Sequence, residues 1–312
     1  MDSEADTDPM SANTVHLIDA SPYIFRAYFA LPERIGLDGQ RIETVQGFAG
    51  FLLKLFTEEQ PTHVGVAFDE SLTTCFRNEI YPEYKAQREL PPAQLEAQLK
   101  ACQQAAAAMG AAVFVHERFE ADDLIGTLVA KLRQGGQRAV VVSPDKDLAQ
   151  LVGPDVQLFD YARGKRYGPG EVVEKFGVEP GQITDYLGLA GDSVDNIPGV
   201  RGVGAKTAAR LLGAFRNLEE IYANLEGVAA LEMRGAASVA VKLEKDRDMA
   251  FLSRKLATVA LDAPARATLA DLAFTGPNMA QVQELCDRLG IRGLKDRIQR
   301  WSEKIEGKGH DG

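Results

Sequence analysis

The chain has 312 residues, 45% of them hydrophobic, and a formal net charge of −10. This length and apolar content are typical of a globular protein with one large domain or two modest ones. The apolar runs are too short to span a bilayer, and the amino terminus lacks the basic-then-apolar pattern of a signal peptide, so we expect a cytoplasmic protein without membrane contact.

The cysteine and histidine patterns argue against a disulfide-stabilised protein and against a zinc protein. Cys75, Cys102 and Cys286 are odd in number and widely spaced, which argues against a disulfide framework and against a zinc site. The four histidines form no HxxxH or HExxH arrangement. The negative charge alone argues against nucleic-acid binding, unless many carboxylates gather in one pocket and bind cations.

In chain order, an acidic segment without apolar periodicity predicts a disordered tail at residues 1–13. Four runs rich in Val, Ile and Phe then predict short buried strands. These runs are 14–20, 62–70, 111–117 and 138–145, and helical periodicity lies between them around 44–58, 92–109 and 121–134. The alternation predicts an α/β fold with a parallel sheet covered on both faces.

Acidic side chains follow the predicted strands. Asp19 ends the first strand, Asp69 ends the second, and Asp145 and Asp147 follow the fourth. One such acid is often only a helix cap or a turn former. Four strand ends that carry carboxylates to one edge of a sheet, where the crevice of such folds lies, predict a functional cluster.

The third strand runs into "FEADDLIG", residues 119–126. As a helix, this segment places Leu124 and Ile125 on one apolar stripe. Glu120 and Asp122 flank the stripe, and Asp123 is expected to point roughly the other way. Acids in a first turn also interact favourably with the helix dipole, which is the simpler account for one or two of them.

From about residue 178, short helices joined by glycines replace the strand-helix alternation. Asp192 and Asp195 lie three residues apart and are able to share one turn. The segment "GVRGVGAKTAARLL" places glycines before a helix that begins near Ala205, an arrangement in which backbone N–H groups bind phosphate. Its spacing fits neither a Walker loop nor the dinucleotide fingerprint, so a glycine-rich helix–turn–helix remains.

Clustered carboxylates raise one another's pKa unless cations compensate them. Ligation by oxygen alone, without His or Cys, favours Mg²⁺ or Mn²⁺. So many acids suit two ions rather than one, and two ions roughly 4 Å apart are typical of sites that hydrolyse phosphodiesters.

Five motifs in order carry a family resemblance. They are "LIDASPYIFRAYFAL", "VAFDESLTTCFRNEIYPEYKAQR", "FEADDLIGTLV", "VVSPDKDLAQLV" and "LAGDSVDNIPGVRGVGAKTAARLL". Over roughly residues 14–260 the chain closely resembles the 5′→3′ exonuclease and flap endonuclease family, which includes the amino-terminal nuclease domain of bacterial DNA polymerase I. The resemblance implies a PIN-like α/β catalytic domain at 14–178, a helical DNA-binding domain with a SAM-like helix-three-turn-helix at 179–306, and a tail at 307–312.

The resemblance also implies roles for individual residues. The acids that bind the metal ions or support their ligands are Asp19, Asp69, Glu120, Asp122, Asp123, Asp145, Asp147, Asp192 and Asp195. In "YPEYKAQR", Lys85 and Arg88 match a basic pair that contacts the scissile phosphate, and Tyr84 matches an aromatic on which a terminal base stacks. A helix would aim Lys85 and Arg88 at one phosphate, whereas a solvated surface face is the simpler alternative. The implied DNA-binding residues are Arg77, Gly199, Gly202, Val203, Gly204, Lys206 and Thr207.

Three weaker assignments stay open at this point. Tyr23 and Arg26 either line the pocket or are a buried Tyr and a surface Arg. Residues 84–105 correspond to the arch through which a 5′ strand passes. Pro91 and Pro92 suit a segment that orders on substrate binding, and they equally suit an ordinary helix start.

The resemblance implies a structure-specific nuclease of DNA replication and repair that uses two Mg²⁺ ions, for which Mn²⁺ substitutes. K⁺ is implied at 199–207, with peptide carbonyls as its ligands. The implied partner is DNA with a 5′ flap, a nick or a free 5′ end, and whether an RNA primer hybrid is also a substrate stays open. We expect the protein to be a monomer. Because the best-known bacterial members of the family continue into a polymerase whereas this sequence ends at Gly312, we expect a free-standing nuclease. We expect it to be fully active, since every acid position of the motifs is filled. A PIN-type ribonuclease and a non-catalytic DNA flap-binding protein are the alternatives.

Overall fold

The structure is a computed structural model that describes residues 14–37, 39–70, 75–88 and 92–308. The predicted disordered tail at 1–13 lies outside these ranges, as do residues 309–312 of the predicted tail at 307–312. Within them, no helix combines the length and the apolar character that crossing a membrane requires.

Two compact units make up the chain. The first consists of Met1–Leu72, Leu90–Val142 and Asp262–Gly312, and the second consists of Thr73–Glu89 and Ser143–Leu261. Each unit therefore combines segments that are distant in sequence.

A parallel sheet forms the centre of the first unit. Its strands are β1 (Thr14–Asp19), β2 (His63–Asp69), β3 (Ala112–His116) and β4 (Arg138–Val142), in the order β3-β2-β1-β4. Asp19 is in register with Ala67, and Asp69 with His116. Because these strands are parallel, their carboxyl ends share one edge, as the sequence predicts.

Helices cover this sheet. They are α1 (Ser21–Ala30), α2 (Glu43–Glu59), α4 (Ala93–Ala108), α5 (Ala121–Gln134), α13 (Met279–Leu289) and α14 (Leu294–Lys308). The buried stripe of α2 includes Phe48, Leu52 and Phe56, spaced by four residues as a helix packed on one side requires. Right-handed crossovers from β1 to β2 to β3, followed by a return to β4 beside β1, place α5 on the face opposite α2 and α4. The reversal beside β1 is the kind of position where α/β sheets bind ligands.

The second unit is mainly helical. Its helices are α3 (Phe76–Ile80), α6 (Pro169–Phe176), α7 (Ile183–Ala190), α8 (Ala205–Ala214), α9 (Leu218–Ala223), α10 (Leu225–Ala229), α11 (Ala236–Lys245) and α12 (Arg247–Ala257). An antiparallel hairpin of β5 (Val156–Asp160) and β6 (Lys165–Tyr167) precedes α6. The helices α7 and α12 pack closely, and a Cβ added at Gly188 would lie 3.0 Å from the Ala250 carbonyl oxygen.

The predicted fold class is confirmed: a mostly parallel α/β sheet is flanked by helices, and a helical region follows in sequence. The strands and helices predicted between residues 14 and 145 are each present within a few residues of their expected bounds. The prediction that all four strands are buried is wrong for β3, whose residues are half-buried or exposed because this strand lies at the edge of the sheet.

Candidate active site

Four acids of the first unit lie at the strand ends or at the amino end of α5, and we call them the strand-edge carboxylates. They are Asp19, Asp69, Glu120 and Asp122. Ser21 joins the first two, because its backbone N–H donates to Asp19 Oδ1 (3.2 Å) and its hydroxyl donates to Asp69 Oδ2 (2.6 Å). Asp69 Oδ1 also accepts from the backbone N–H of Ala121 (2.8 Å). Asp69 is thereby tied to the positive end of the α5 dipole.

The predicted outward direction of Asp123 is wrong. Its side chain is fully buried, and Oδ2 accepts from the backbone N–H of Glu120 (3.1 Å) as part of a capping box. A carboxylate at the third helical position satisfies a backbone donor that the helix leaves open, and this local bond determines its direction. The geometry gives Asp123 a structural role in starting the helix that presents Glu120 and Asp122.

Four acids of the second unit lie in two turns, and we call them the turn carboxylates. They are Asp145, Asp147, Asp192 and Asp195. Ser143 Oγ accepts from the Asp145 N–H (3.0 Å), and Asp145 Oδ1 accepts from the Asp147 N–H (2.9 Å), so the first pair is built by successive side-chain-to-backbone turns.

Asp192 and Asp195 share a single turn, as predicted. Two backbone hydrogen bonds between Asp192 and Ile197 (2.8 and 2.7 Å) close this turn. Asp192 Oδ1 accepts from the Val194 N–H (2.8 Å). Asp192 and Asp195 are both at least nine-tenths buried.

Basic side chains offset the negative charges of Asp192 and Asp195. Lys146 Nζ lies 2.7 Å from Asp192 Oδ2, while Lys85 Nζ and Arg88 Nη2 lie 3.4 and 2.6 Å from the oxygens of Asp195. Lys146 was not among the residues predicted from sequence, although its place between two acids in "PDKD" is a usable signal.

Burial raises the pKa of Asp147 well above its ordinary value, and the charges of Asp145, Asp192 and Asp195 raise it further. The pKa of Asp145 is raised for the same reasons, against a lowering by the Asp147 N–H and by Lys85. Asp147 Oδ1 is buried and has no hydrogen-bond partner among the described residues. Buried oxygen ligands whose charges are not fully compensated fit a hard cation such as Mg²⁺.

Among the residues that the structure describes, no three Asp, Glu, His or Cys side chains form a ready metal-binding group. The prediction that the acids surround paired ions therefore stays a prediction.

The segment that carries Tyr84, Lys85 and Arg88 is a run of turns, so the predicted helical presentation of the basic pair is wrong. Lys85 has a left-handed backbone (φ 54°), which a helix does not allow. Asn78 Nδ2 donates to the Tyr84 carbonyl (2.8 Å), and Asn196 Nδ2 donates to the Glu83 carbonyl (2.6 Å). These bonds fix the turn, and both basic side chains reach Asp195.

Tyr84 does not offer a stacking surface. Its side chain is only 3% exposed, and its hydroxyl donates to Asp195 Oδ2 (3.2 Å). The structure therefore contradicts the expected stacking of a terminal base on this ring.

Arg77 is likewise not a DNA-binding residue in this structure. It is 2% exposed, and its guanidinium donates to the carbonyls of Leu256 (2.8 Å) and Thr258 (2.9 Å). It also lies over the ring of Phe76 (4.6 Å). Carbonyl partners and an aromatic face satisfy the charge internally, so Arg77 joins α3 to the end of α12.

The glycine-rich turn divides into a buried and an exposed part. The Gly199 N–H is buried and donates to Ser253 Oγ (2.9 Å), and the Val203 N–H donates to the Val200 carbonyl (3.0 Å). The expectation that these two groups bind phosphate is therefore wrong, because both donors are already used inside the protein.

The exposed part of the turn lies at the amino end of α8. Gly202, Gly204 and Lys206 are exposed and Thr207 is half-buried. Lys242 Nζ contacts the Gly202 carbonyl oxygen (3.4 Å). Positive charge and a helix amino end therefore meet here, as a phosphate-binding turn requires.

The open alternatives at Tyr23 and Arg26 are resolved by burial. Tyr23 is a core residue whose ring stacks on Phe51 (centroids 3.8 Å apart), whereas Arg26 is exposed. Pro92 begins α4 in the ordinary way, and the buried Gln98 side chain of that helix accepts from the Thr44 N–H (3.1 Å). The helical part of the predicted arch is thus packed, while Pro91 lies outside the described residues.

Known proteins match this chain along most of its length. The model of the 5′-3′ exonuclease N-terminal resolvase-like domain matches residues 14–177, and that of the 5′-3′ exonuclease C-terminal SAM fold matches residues 178–280. The chain belongs to the 5′-3′ exonuclease family. Members of this family are nucleases, which are hydrolases that act on nucleic acid.

Two relatives of this 5′-3′ exonuclease family member are DNA polymerases I. That of Bacillus caldotenax is 38% identical over 294 residues, which are 93% of this chain and 33% of the polymerase. That of Pseudomonas aeruginosa is 41% identical over 254 residues, which are 81% of this chain and 28% of the polymerase. The chain thus spans about a third of the length of the curated relatives it matches.

Solved structures share the fold. T5 5′-exonuclease, determined with bound divalent zinc ions, matches with a TM-score of 0.63 at 20% identity and covers 93% of this chain and 99% of its own. The catalytic core of Rad2 in complex with DNA substrate matches with a TM-score of 0.62 at 14% identity over 93% and 92% of the two chains. At these identities the likeness shows the fold alone.

Proposed function

We propose that this protein is a divalent-metal-dependent 5′→3′ exonuclease and flap endonuclease that hydrolyses phosphodiester bonds of DNA. The observation that carries the proposal is the set of buried turn carboxylates, in which Asp147 keeps an unpartnered oxygen among the described residues. Family membership and the DNA and metal ions named for the structural relatives support the same activity.

Each carboxylate group would bind a divalent cation through oxygen, with Mg²⁺ as the natural ion and Mn²⁺ as a substitute. In the first unit the ligands would be Asp19, Asp69, Glu120 and Asp122, and in the second unit Asp145, Asp147, Asp192 and Asp195. When bound, such ions activate water and stabilise the charge that develops on a phosphate.

The turn that holds Lys85 and Arg88 would supply the phosphate contacts. Both side chains neutralise Asp195, and both are long enough to turn toward another anion while the backbone stays fixed by Asn78 and Asn196. A phosphate that competes for them would be held by cations where negative charge increases during hydrolysis. Tyr84 would keep Asp195 in place through its hydroxyl.

The exposed part of the glycine-rich turn would hold the phosphates of uncleaved duplex. Gly202, Gly204 and Lys206 present the amino end of α8, and this contact would be sequence-independent and weakened by salt. We extend the proposal to a K⁺ ion at residues 199–207. Lys242 already contacts the Gly202 carbonyl, so K⁺ would use other carbonyls of the turn. Tighter DNA binding in K⁺ than in Li⁺ would reveal it.

We propose that the enzyme acts as a monomer in the cytoplasm during DNA replication and repair. The DNA polymerase I relatives support the role in DNA replication and repair. In the same proposal, residues 14–178 perform the chemistry and residues 179–306 bind duplex DNA. Flaps, nicks and free 5′ ends are the expected substrates, and RNA primer hybrids are to be tested beside them.

A cleavage assay tests the proposal. A duplex with a labelled 5′ flap should be cut in Mg²⁺ or Mn²⁺, and EDTA should stop the reaction. Single-stranded RNA of the same sequence should be a poorer substrate. Cleavage that survives EDTA, or tight flap binding with no turnover in any divalent ion, would contradict the proposal.

A further inference from the structure

Two adjoining hollows lie along the outward face of α2 in the first unit, and we call them together the basic groove. Their volumes are about 340 and 360 Å³, and Arg297 of α14 lines both of them. The α2 residues that line the groove run from Glu43 to Glu58. This is a rise of about 22 Å along the helix axis, so the groove is long enough for several residues of an extended chain.

Four exposed cations of the basic groove have no acidic partner among the described residues. They are Arg34, Arg297, Arg300 and Lys304. The acids that line the groove are already engaged, because Glu43 lies 2.7 Å from Arg41 and Glu58 lies 3.7 Å from Lys54. The groove therefore keeps a positive excess in a chain whose formal net charge is −10.

The floor of the basic groove is apolar. Leu53 and Trp301 are each 6% exposed. The Trp301 ring packs against Phe56 and Phe274, with ring centroids 6.0 Å apart in both cases. Trp301 is the only tryptophan of the sequence, so the floor of the groove also carries a fluorophore that reports on what lies above it.

The start of β1 lies beside one end of the basic groove. His16 Nε2 of β1 is 3.4 Å from Oε2 of Glu59, the last residue of α2. Phe274, which packs on Trp301, donates its backbone N–H to the carbonyl of Thr62 (2.8 Å). Thr62 directly precedes β2, which pairs with β1. A short series of contacts thus leads from the start of β1 to the floor of the groove.

The chain that precedes β1 carries the opposite charge, and we call residues 1–13 the acidic segment. It contains no Lys or Arg, and its acids occupy every second position, at Asp2, Glu4, Asp6 and Asp8. Side chains at every second position share one side of an extended chain, where these four would spread over about 20 Å. Extended, a segment of this length spans up to about 45 Å, so it can reach the whole groove from the start of β1.

We propose that the acidic segment occupies the basic groove of its own molecule. It would run antiparallel to α2, because β1 starts beside the carboxyl end of that helix. Met10 would lie over Trp301, since a flexible thioether side chain suits an irregular apolar floor. The four acids would continue toward Arg34 and meet the four cations. This salt-sensitive contact would screen the face from other anions, whether or not the protein is a nuclease.

Carbodiimide coupling tests the contact, because it joins a carboxylate to a lysine amine only where the two groups touch. The whole chain is treated in about 10 mM salt, where the Debye length is roughly 30 Å. We expect mass spectrometry to find the acidic segment coupled to Lys54 and Lys304 more strongly than to Lys100, an exposed lysine of α4. Coupling should fall roughly fivefold in about 1 M salt, where the Debye length is roughly 3 Å.

Matched variants show whether the groove cations hold the segment. Arg297→Gln/Arg300→Gln should reduce coupling to Lys304 roughly fivefold, the scale of losing two exposed ion pairs. Arg292→Gln/Lys295→Gln, on the same stretch of chain but outside the groove, should leave that coupling unchanged. If the first variant fails to fold, as judged by its circular-dichroism melting curve, Arg300→Gln alone takes its place and should reduce the coupling roughly twofold.

Fluorescence of Trp301 gives an independent readout. A variant of the whole chain keeps the length of the acidic segment but replaces its acids by amides: Asp2→Asn/Glu4→Gln/Asp6→Asn/Asp8→Asn. Iodide at constant ionic strength should quench Trp301 roughly twofold more in this variant than in the wild type, because the anion then reaches unscreened cations. A control changes the net charge equally by replacing exposed acids outside the groove, and it should quench like the wild type: Glu96→Gln/Glu117→Gln/Asp262→Asn/Glu284→Gln.

Three results would overturn the proposal. The first is coupling of the acidic segment mainly to Lys100, or equally at low and high salt. The second is equal iodide quenching of the wild type and the amide variant. The third comes from a mixture of isotopically labelled and unlabelled protein, in which cross-links that join a labelled to an unlabelled peptide would assign the groove to the acidic segment of a second copy.

Discussion

Asp69 and Asp195, one from each carboxylate group, show two different kinds of contact. Asp69, among the strand-edge carboxylates, accepts from the Ser21 hydroxyl and from the Ala121 N–H, which are both neutral donors. Asp192 and Asp195, among the turn carboxylates, face the ends of Lys146, Lys85 and Arg88. Neutral backbone donors hold a ligand in place, whereas charged side chains compete for it.

These two kinds of contact have different consequences when a cation binds. A carboxylate held by backbone keeps its geometry whether or not a cation binds, because the donors cannot leave. A carboxylate held by a lysine or an arginine exchanges that partner when a stronger charge arrives, and the released cation is then available to a phosphate. We therefore expect substitutions in the second group to change ion and phosphate binding, and those in the first group to change stability as well.

The largest effect is expected from Asp145→Asn. The amide keeps the size of the side chain and an oxygen for the Asp147 N–H but removes the charge that a divalent cation needs. We expect flap cleavage to fall roughly a thousandfold or more, while DNA binding in EDTA stays close to wild type. Equal loss of cleavage and binding in a folded variant would contradict the division of labour between the acids and the DNA-binding surfaces.

Lys85→Ala should reduce the cleavage rate by roughly a hundredfold, the scale of losing one charge-stabilising donor. Single-turnover rates at saturating DNA measure the effect. Lys255→Ala, an exposed lysine of the same unit, is the control and should leave the rate unchanged. A loss in affinity with an unchanged single-turnover rate would mean that Lys85 binds DNA away from the reacting phosphate.

Lys146→Gln should lower the Mg²⁺ concentration that gives half-maximal cleavage. The ammonium competes with a cation for Asp192, and its removal frees that carboxylate. We expect a shift of a few fold, measured by Mg²⁺ titration beside the Lys255→Gln control. A higher Mg²⁺ requirement would instead show that Lys146 orients Asp192 for the ion.

Glu43→Gln should destabilise the first unit by about 2 kcal/mol at neutral pH, the usual scale for a buried charge-assisted hydrogen bond. Burial raises the pKa of Glu43, but hydrogen bonds from backbone N–H groups and from Arg41 outweigh it, so the pKa lies below its ordinary value. A carboxyl group whose pKa is lower in the folded than in the unfolded protein stabilises the fold at every pH above its unfolded pKa. This stabilisation is lost as the pH falls through the pKa of the folded protein.

Urea unfolding at several pH values measures the difference in the free energy of unfolding between the wild type and Glu43→Gln. The gap should be largest near neutral pH and should close in acid. A gap that does not change with pH would mean that packing, rather than ionisation, accounts for the role of Glu43.

The smallest effect is expected from Asp123→Ala, which removes a cap from α5 and should cost about 1 kcal/mol. The neighbouring Asp122→Ala should cost less stability, since the capping bond to the Glu120 N–H belongs to Asp123. Thermal unfolding compares the two, and cleavage assays should show the reverse order of damage. Similar destabilisation by both would weaken the distinction between cap and ligand.

Sequence periodicity was sufficient to locate β1 to β4 and α2, α4 and α5, because each has an apolar pattern of its own, but it did not show that β3 is an edge strand without buried residues. It was not sufficient for Asp123, where a capping bond rather than the helical period sets the direction of the side chain. It also failed at Lys85, whose left-handed backbone depends on bonds to Asn78 and Asn196 nearby in space.

Other features depend on partners far along the chain. The carbonyls that satisfy Arg77 come from Leu256 and Thr258, which lie 179 and 181 residues later, and no local pattern announces them. The hairpin of β5 and β6 was missed although Gly164, with φ 62°, marks its turn.

Gly191 and Gly199 lie backbone against backbone, with no room for a side chain at either position. Both have positive φ (70° and 62°), so alanine would be strained there as well as obstructed. The loop between them carries Asp192 and Asp195, and the residues just after Gly199 lead into α8. This crossing holds the loop of the acids against the segment that leads into α8, so we expect a displacement of either one to move the other. Under the proposed function, the metal ligands and the turn that would hold duplex phosphates are therefore mechanically linked.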